Sequence, residues 1–420
     1  MRQRNIPAGR VVALVAAVMA ALTIAACGSS DDSSSDAGTN TDTASDVPAA
    51  SGTPFKLGMV EDLSGPIGAF PESKVAAEAA VQYVNEKLGG AGGRPIEFVN
   101  CGSTGTPESA LRCANQLVSE GVEAVIGGST QGGSPPTELF FRNGIPMIGG
   151  QPLDEVASES DLGFFFGPVG GASFGALLTY MEEQSFQRVG VIGPDVPIVQ
   201  FVSGLIAEQG EAAGIPVTVG TYPAGSPSFE PAVTKATSGD AEGLIASDVP
   251  PGCVGTMKAV QALGLDVTMG LPHSCANQEV FDAAPPTVLE RGVYQFPVLP
   301  ASAEDPDVET YVEIMEEFGA PEEYVTAEYS QLSVQAVMNI KAIADEIVEG
   351  GGEFTTESLV AALRKTKDQP NFMGHPYTCD GKQVPFVPTV CTPFARIVQY
   401  QGGEVVDLGE KWFNILGSEK

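Results

Sequence analysis

A Gly-rich turn beside hydroxyl side chains is a place where a chain can bind an anion. The run Gly127-Gly128-Ser129-Thr130-Gln131-Gly132-Gly133 has that character. It follows the buried strand pattern at 122–126 and precedes a helical pattern near 136–142. Glycines let a ligand approach the backbone. Free N–H groups at the helix start, with the Ser129 and Thr130 hydroxyls, can hold a carboxylate. The other reading is a plain strand-to-helix turn. A second such turn, Gly149-Gly150-Gln151-Pro152-Leu153, offers Gln151 as its polar candidate. Asp195 and Asp248 each close a later strand pattern, where they can meet a ligand's positive charge or simply make a turn. His273 is one of only two histidines, and a solvated loop His is its alternative. Phe70 and Tyr329 can form apolar walls, or pack in a core.

One motif invites a reading as an enzyme. Gly171-Ala172-Ser173-Phe174-Gly175 has the Gly-x-Ser-x-Gly spacing of a hydrolase nucleophile. Such a serine needs a strand running straight into a helix, an acid and a later His. Ser173 instead follows the Gly167-Pro168 break and reads as a helix cap. Only His273 and His375 can serve as base. No phosphate loop of the Gly-x-x-x-x-Gly-Lys type occurs, and no His-Glu-x-x-His. The expectation is a protein that is no enzyme and carries neither cofactor nor metal, with a serine hydrolase acting through Ser173 as the remote alternative. Six cysteines fall in close pairs: Cys101 and Cys113, Cys253 and Cys275, Cys379 and Cys391. Local disulfides are the simplest connectivity, each adding about 2–4 kcal/mol. A metal site is the rival, but there is no Cys-x-x-Cys and little His.

The disulfides require an oxidising compartment, and the N-terminus points to one. Arg2, Arg4 and Arg10 precede an apolar run over 11–24 that is short for a membrane span. The run ends in Ala25-Ala26-Cys27-Gly28, which resembles a bacterial lipobox. Residues 1–26 then form a lipoprotein signal peptide, and Cys27 carries the lipid. Residues 27–53 are rich in Ser, Asp, Thr, Gly and Ala and cannot bury enough surface to order themselves, so they read as a tether. The expected location is the cell envelope, outside the cytoplasmic membrane. The chain has a net charge of −32, and cleavage removes three Arg and no acid. Such an acidic body repels nucleic acid and anionic lipid, leaving the lipid anchor as the membrane contact.

From Pro54 onward strand and helix patterns alternate. The rhythm runs from the strand at 55–60 to the strand at 145–148, breaks at Phe164-Phe165-Phe166-Gly167-Pro168, and restarts through strands near 188–192, 216–221, 243–247 and 292–296. Alternation of this kind predicts parallel sheets covered on both faces. At 420 residues the chain is long enough for two such lobes. Ala336, Val337, Ile340, Ile343, Ala344, Ile347 and Val348 form the stripe of a long helix.

The stretch Leu57-Gly58-Met59-Val60-Glu61-Asp62-Leu63-Ser64-Gly65-Pro66 resembles the first strand and loop of the branched-chain amino-acid (Leu/Ile/Val) class of periplasmic binding proteins. Similar pieces follow in order: Ala79-Ala80-Val81-Gln82-Tyr83-Val84-Asn85-Glu86, Gly92-Gly93-Arg94-Pro95-Ile96, Gly121 through Thr130, and Gly144-Ile145-Pro146-Met147-Ile148. The resemblance implies an α/β fold of two Rossmann-like lobes joined by three crossover segments. Lobe one is 55–167 with 298–385, and lobe two is 168–297 with 386–420. It further implies capture of a small solute between the lobes, with an ABC permease and ATPase as partners. Ser129 and Thr130 inherit the grip on a ligand carboxylate. Members that bind amino acids often have a Thr where this chain has Pro152 and Leu153. They often have Asp-x-x-Tyr-Gly where it has Asp195-Val196-Pro197-Ile198-Val199, and an acid near His273. These departures point to an amide, a modified amino acid or another small carboxylate rather than plain leucine. A receptor of the same fold that reports its ligand to a signalling partner is the alternative job.

Overall fold

The computed structural model describes residues 48–64, 69–128, 130, 132–168 and 173–418. Its first strand is buried along nearly its whole length, as a strand covered on both faces must be. β1 (Phe55–Asp62) has a single half-buried residue, Lys56. It is followed by α1 (Pro71–Lys87), β2 (Ile96–Ser103), α2 (Pro107–Glu120), β3 (Ala124–Ile126), α3 (Ser134–Arg142), β4 (Met147–Ile148), α4 (Glu155–Glu159) and β5 (Gly163–Phe164). These strands form a parallel sheet in the order β2-β1-β3-β4-β5. Side chains alternate across it with the period of two that a strand imposes. Leu57, Met59, Ala124 and Ile126 join one core, and Val60 and Val125 join another with α2 and α3.

The chain then crosses to a second sheet. Its elements are α5 (Phe174–Glu183), β6 (Val189–Pro194), α6 (Pro197–Ala213), β7 (Val217–Tyr222), α7 (Glu230–Ala236), β8 (Gly243–Ala246), α8 (Pro250–Ala262), β9 (Thr268–Pro272), α9 (Gln278–Ala283), α10 (Pro286–Leu289) and β10 (Gly292–Phe296). A return crossing brings α11 (Pro306–Glu317), α12 (Glu328–Glu349) and α13 (Thr356–Leu363) onto the first sheet, with a hairpin of β11 (Gln369–Asn371) and β12 (Gly374–Tyr377). The last crossing adds β13 (Phe394–Gln401) and β14 (Glu404–Asn414) to the second sheet, whose order is β14-β13-β10-β9-β8-β6-β7. Those last two strands run antiparallel, so this sheet is mixed rather than purely parallel as the alternation suggested.

The crossings lie side by side. The Phe165 N–H donates to Thr389 and the Cys391 N–H to Phe165, at 2.9 and 2.8 Å. The Asn371 amide donates to the Phe166 carbonyl at 2.9 Å, and its oxygen accepts from Gln335 and Asn339. The three disulfides have the local pairing: Cys101–Cys113, Cys253–Cys275 and Cys379–Cys391. The last of these lies in the third crossing.

Several helices open on proline. α1, α6, α8 and α11 each carry Pro in the first turn, where its missing N–H costs nothing. Thr106 caps α2, accepting from the Ser109 N–H. Ser173 does not act as predicted. It holds the N-cap position of α5 in helical geometry, fully buried, and its hydroxyl makes no capping bond.

In each sheet the order of the parallel strands reverses once, between β1 and β3 and between β6 and β8. At such a switch point the loops at the carboxyl ends of the strands splay apart and leave a crevice. Two glycine pairs shape that edge of the first sheet. Gly150 has φ +67°, and a Cβ there would fall 1.8 Å from the Gly127 carbonyl oxygen. The loops after β3 and β4 thus pack backbone on backbone, which fixes the direction of Gln151. Gly150→Ala is expected to cost at least about 1 kcal/mol more than Gly144→Ala, which has φ +71° but open space around it. Urea unfolding of the two variants measures the difference.

Candidate functional site

The carboxyl end of β1 delivers Asp62, which is fully buried. Its carboxylate accepts from the Thr130 hydroxyl at 2.9 Å, and Thr130 in turn accepts from the Gly132 N–H at 3.2 Å. Asp62 therefore holds the Gly-rich loop after β3. Its carbonyl also accepts from the Phe70 N–H at 2.9 Å, which sets the start of α1. The Phe70 ring lies 4.4 Å from that of Tyr329 at the start of α12. α1 and α12 pack together, and both begin at this edge. Their first turns contribute Glu72 and Glu328. A carboxylate in a first turn is favoured by the helix dipole, but that effect is worth only about 0.3–1 kcal/mol. Burial outweighs it here.

Burial is the main cause that pushes the Glu328 carboxyl up to about 7, and the neighbouring charge of Glu72 adds to it. Burial raises Glu72 as well. The Tyr329 phenol stands well above its ordinary range through burial first, then the charges of Glu328, Glu72 and Asp62. Gln151 reaches across from the loop after β4 and donates from Nε2 to Glu328 Oε1 at 3.1 Å.

The second sheet supplies the facing residue. His273 opens a 3₁₀ turn directly after β9, and Cys253–Cys275 ties that turn to α8. The ring lies on Phe296, centroids 3.6 Å apart, and only 2% of the residue is exposed. Its Nδ1 is 3.8 Å from Glu328 Oε1, too far for a hydrogen bond. Neither ring nitrogen has a hydrogen-bond partner. Burial lowers the imidazole to about 3, so it is neutral at pH 7. The contact between the two halves thus pairs a neutral ring with a carboxyl poised near its titration point.

Of the residues expected from sequence, Thr130, Gln151, His273, Phe70 and Tyr329 belong to this region. Ser129 and Cys27 lie outside the described residues. Asp195 and Asp248 sit at the switch point of the second sheet, and each has partners within its own half. Asp195 is exposed and accepts from Gln200 at 2.7 Å. Asp248 accepts from the Tyr222 hydroxyl and the Val249 N–H, and burial raises it to about 6. Asp62, Glu72, Glu328 and Phe296 were missed by sequence reasoning. Glu328 adjoins Tyr329 in the chain, but an acid opening a helix has an ordinary explanation in the dipole. Ser173 is fully buried rather than presented at a strand-to-helix elbow, and His375 packs instead on Phe394 beside the Thr392 hydroxyl. Among the described residues no cluster could hold a metal ion, and no helix is long and apolar enough to cross a membrane.

Residues 54–402 match the model of the periplasmic binding protein family, and the chain belongs to it. The Leu/Ile/Val-binding protein homolog 3 of Brucella melitensis is 33% identical over 94 residues, 22% of this chain and 25% of that protein. The matched stretch thus spans about a quarter of that relative's length. The closed leucine-, isoleucine-, valine-, threonine- and alanine-binding protein of Brucella ovis superposes with a TM-score of 0.70 at 16% identity, covering 88% of this chain and 97% of that one. A solute-binding protein of R. palustris in complex with 4-hydroxybenzoate superposes with a TM-score of 0.66 at 17% identity, over 86% and 97% of the two chains. These likenesses establish the fold, and the differing ligands in their descriptions leave its occupant open.

The raised carboxyl has a consequence for stability. A group that is easier to protonate when folded contributes its stability below its unfolded value and loses it as pH rises through the folded one. For Glu328 that window runs from its ordinary 4.5 to about 7. Glu328→Gln is therefore expected to stabilise the ligand-free protein by about 2–3 kcal/mol at pH 8 and to change little at pH 4. Urea unfolding at both pH values checks this, and equal effects at the two would contradict it.

Proposed function

We propose that the protein is an extracytoplasmic solute-binding lipoprotein, anchored through Cys27, that captures a small polar solute between its two lobes and delivers it to an ABC permease and its ATPase. The observation that carries this reading is the convergence of polar side chains from opposite halves, Gln151 and Glu328 against His273, between aromatic faces. Neither nitrogen of the buried His273 ring has a partner, and such groups are normally satisfied. A ligand seated there supplies the missing hydrogen bonds.

The lobe limits belong to the same proposal: 55–167 with 298–385, and 168–297 with 386–420. A solute that touches Gln151 and Glu328 on one lobe and His273 on the other binds the closed arrangement better than any open one. Differential affinity of that kind drives closure. Family membership supports the capture role, and the apolar run before Ala25-Ala26-Cys27 supports the anchor. The Ser129 and Thr130 loop would take the anionic end of a ligand that has one.

A thermal-shift panel of amino acids, amides, urea and small organic acids is the direct test. A true ligand at about 100 times its Kd stabilises by about 2.7 kcal/mol. His273→Ala is expected to weaken the responding ligand at least about tenfold, near 1.4 kcal/mol. Unchanged affinity in that variant would remove the second lobe from the site.

A further inference from the structure

We propose that the solute captured in this cleft is a cation, an amine or guanidinium whose positive charge rests against Glu328 and Glu72. The inference rests on the capture reading and names its ligand class. Glu72 and Glu328 open the first turns of α1 and α12, which pack side by side. Among the described residues no lysine or arginine is ion-paired to Glu72 or Glu328. The nearest such cation on α1, Lys74, is paired with Glu78 at 3.5 Å. Buried carboxylates without a counter-ion are costly, and a ligand's positive charge is the compensation that a binding cleft can accept.

His273 is the independent observation. Its ring is 98% buried, faces Glu328 Oε1 at 3.8 Å and has no partner at either nitrogen. In the neutral ring one of those nitrogens is an acceptor. An N–H group of a cationic ligand can donate to that nitrogen while a second donates to Glu328, so one group joins the two lobes. The Phe70 and Tyr329 pair adds aromatic surface, which attracts a cation through its π-face. A lone carboxylate such as a benzoate would instead bring a further negative charge beside Glu328 and Glu72. The net charge of −32 also steers cations towards the body and repels anions.

Isothermal titration of the purified full-length protein with arginine, putrescine, leucine and 4-hydroxybenzoate decides the matter. The expected result is binding of arginine or putrescine, weakened at least tenfold in both Glu328→Gln and Glu72→Gln, with each variant's unfolding midpoint confirming that it is folded. Binding of leucine or 4-hydroxybenzoate while both cations are silent overturns the cation assignment and leaves the capture reading intact. Silence from all four probes overturns the assignment and counts against the capture reading too. Cation binding that is unchanged in both folded variants overturns the proposed seat.

Discussion

The Glu328 carboxyl is largely buried where the two halves of the molecule meet, facing His273 of the second half. It faces a like charge at Glu72 within its own half and an uncharged imidazole at His273 across the cleft. Neither neighbour neutralises it. Every nearby element is arranged to hold it there: α12 begins on it, α1 presents Glu72 beside it, and the turn after β4 aims Gln151 at it. The Glu328 and Glu72 pair therefore carries an unfavourable interaction unless one of the two carboxyls is protonated.

The rest of the fold makes that arrangement rigid. Parallel sheets put their loops at one edge, and the reversal of strand order opens a crevice there. The interlocked glycines bring the backbones of the loops after β3 and β4 into close contact, with Gly128 against the Gln151 backbone. Asp62 ties the first loop through Thr130. On the opposite half, Cys253–Cys275 fastens the His273 turn to α8, and Phe296 supports the ring from beneath. The crossings are bonded to one another as well. There the Asn371 amide, held by Gln335 and Asn339, fixes the path of Phe166.

Much of this was legible in the sequence. Continuous apolar runs such as Leu57-Gly58-Met59-Val60 announce buried parallel strands, and the break at Phe164–Pro168 marks the first crossing. Cysteines twelve residues apart in two of the pairs close into local loops. His273, Gln151 and Tyr329 stood out by residue type and place. Glu328 and Glu72 did not, because an acid in a first helical turn looks like a dipole complement until the two first turns are seen together. α1 and α12 lie far apart in the chain, and only tertiary packing brings them side by side. Asp195 and Asp248 were legible as strand-end acids, but Gln200 and Tyr222 engage them within their own half. β13 and β14 fall in the 386–420 segment that the resemblance assigns to lobe two, but their antiparallel pairing was not legible, since pattern alone does not set strand direction.

The account depends on Glu328 being a carboxyl that burial and Glu72 hold half-protonated near neutral pH. Its side-chain carboxyl ¹³C resonance, followed by NMR across a pH titration of the ligand-free protein, reports that state directly. The account predicts a midpoint near 7, and a midpoint at the ordinary 4.5 would contradict it.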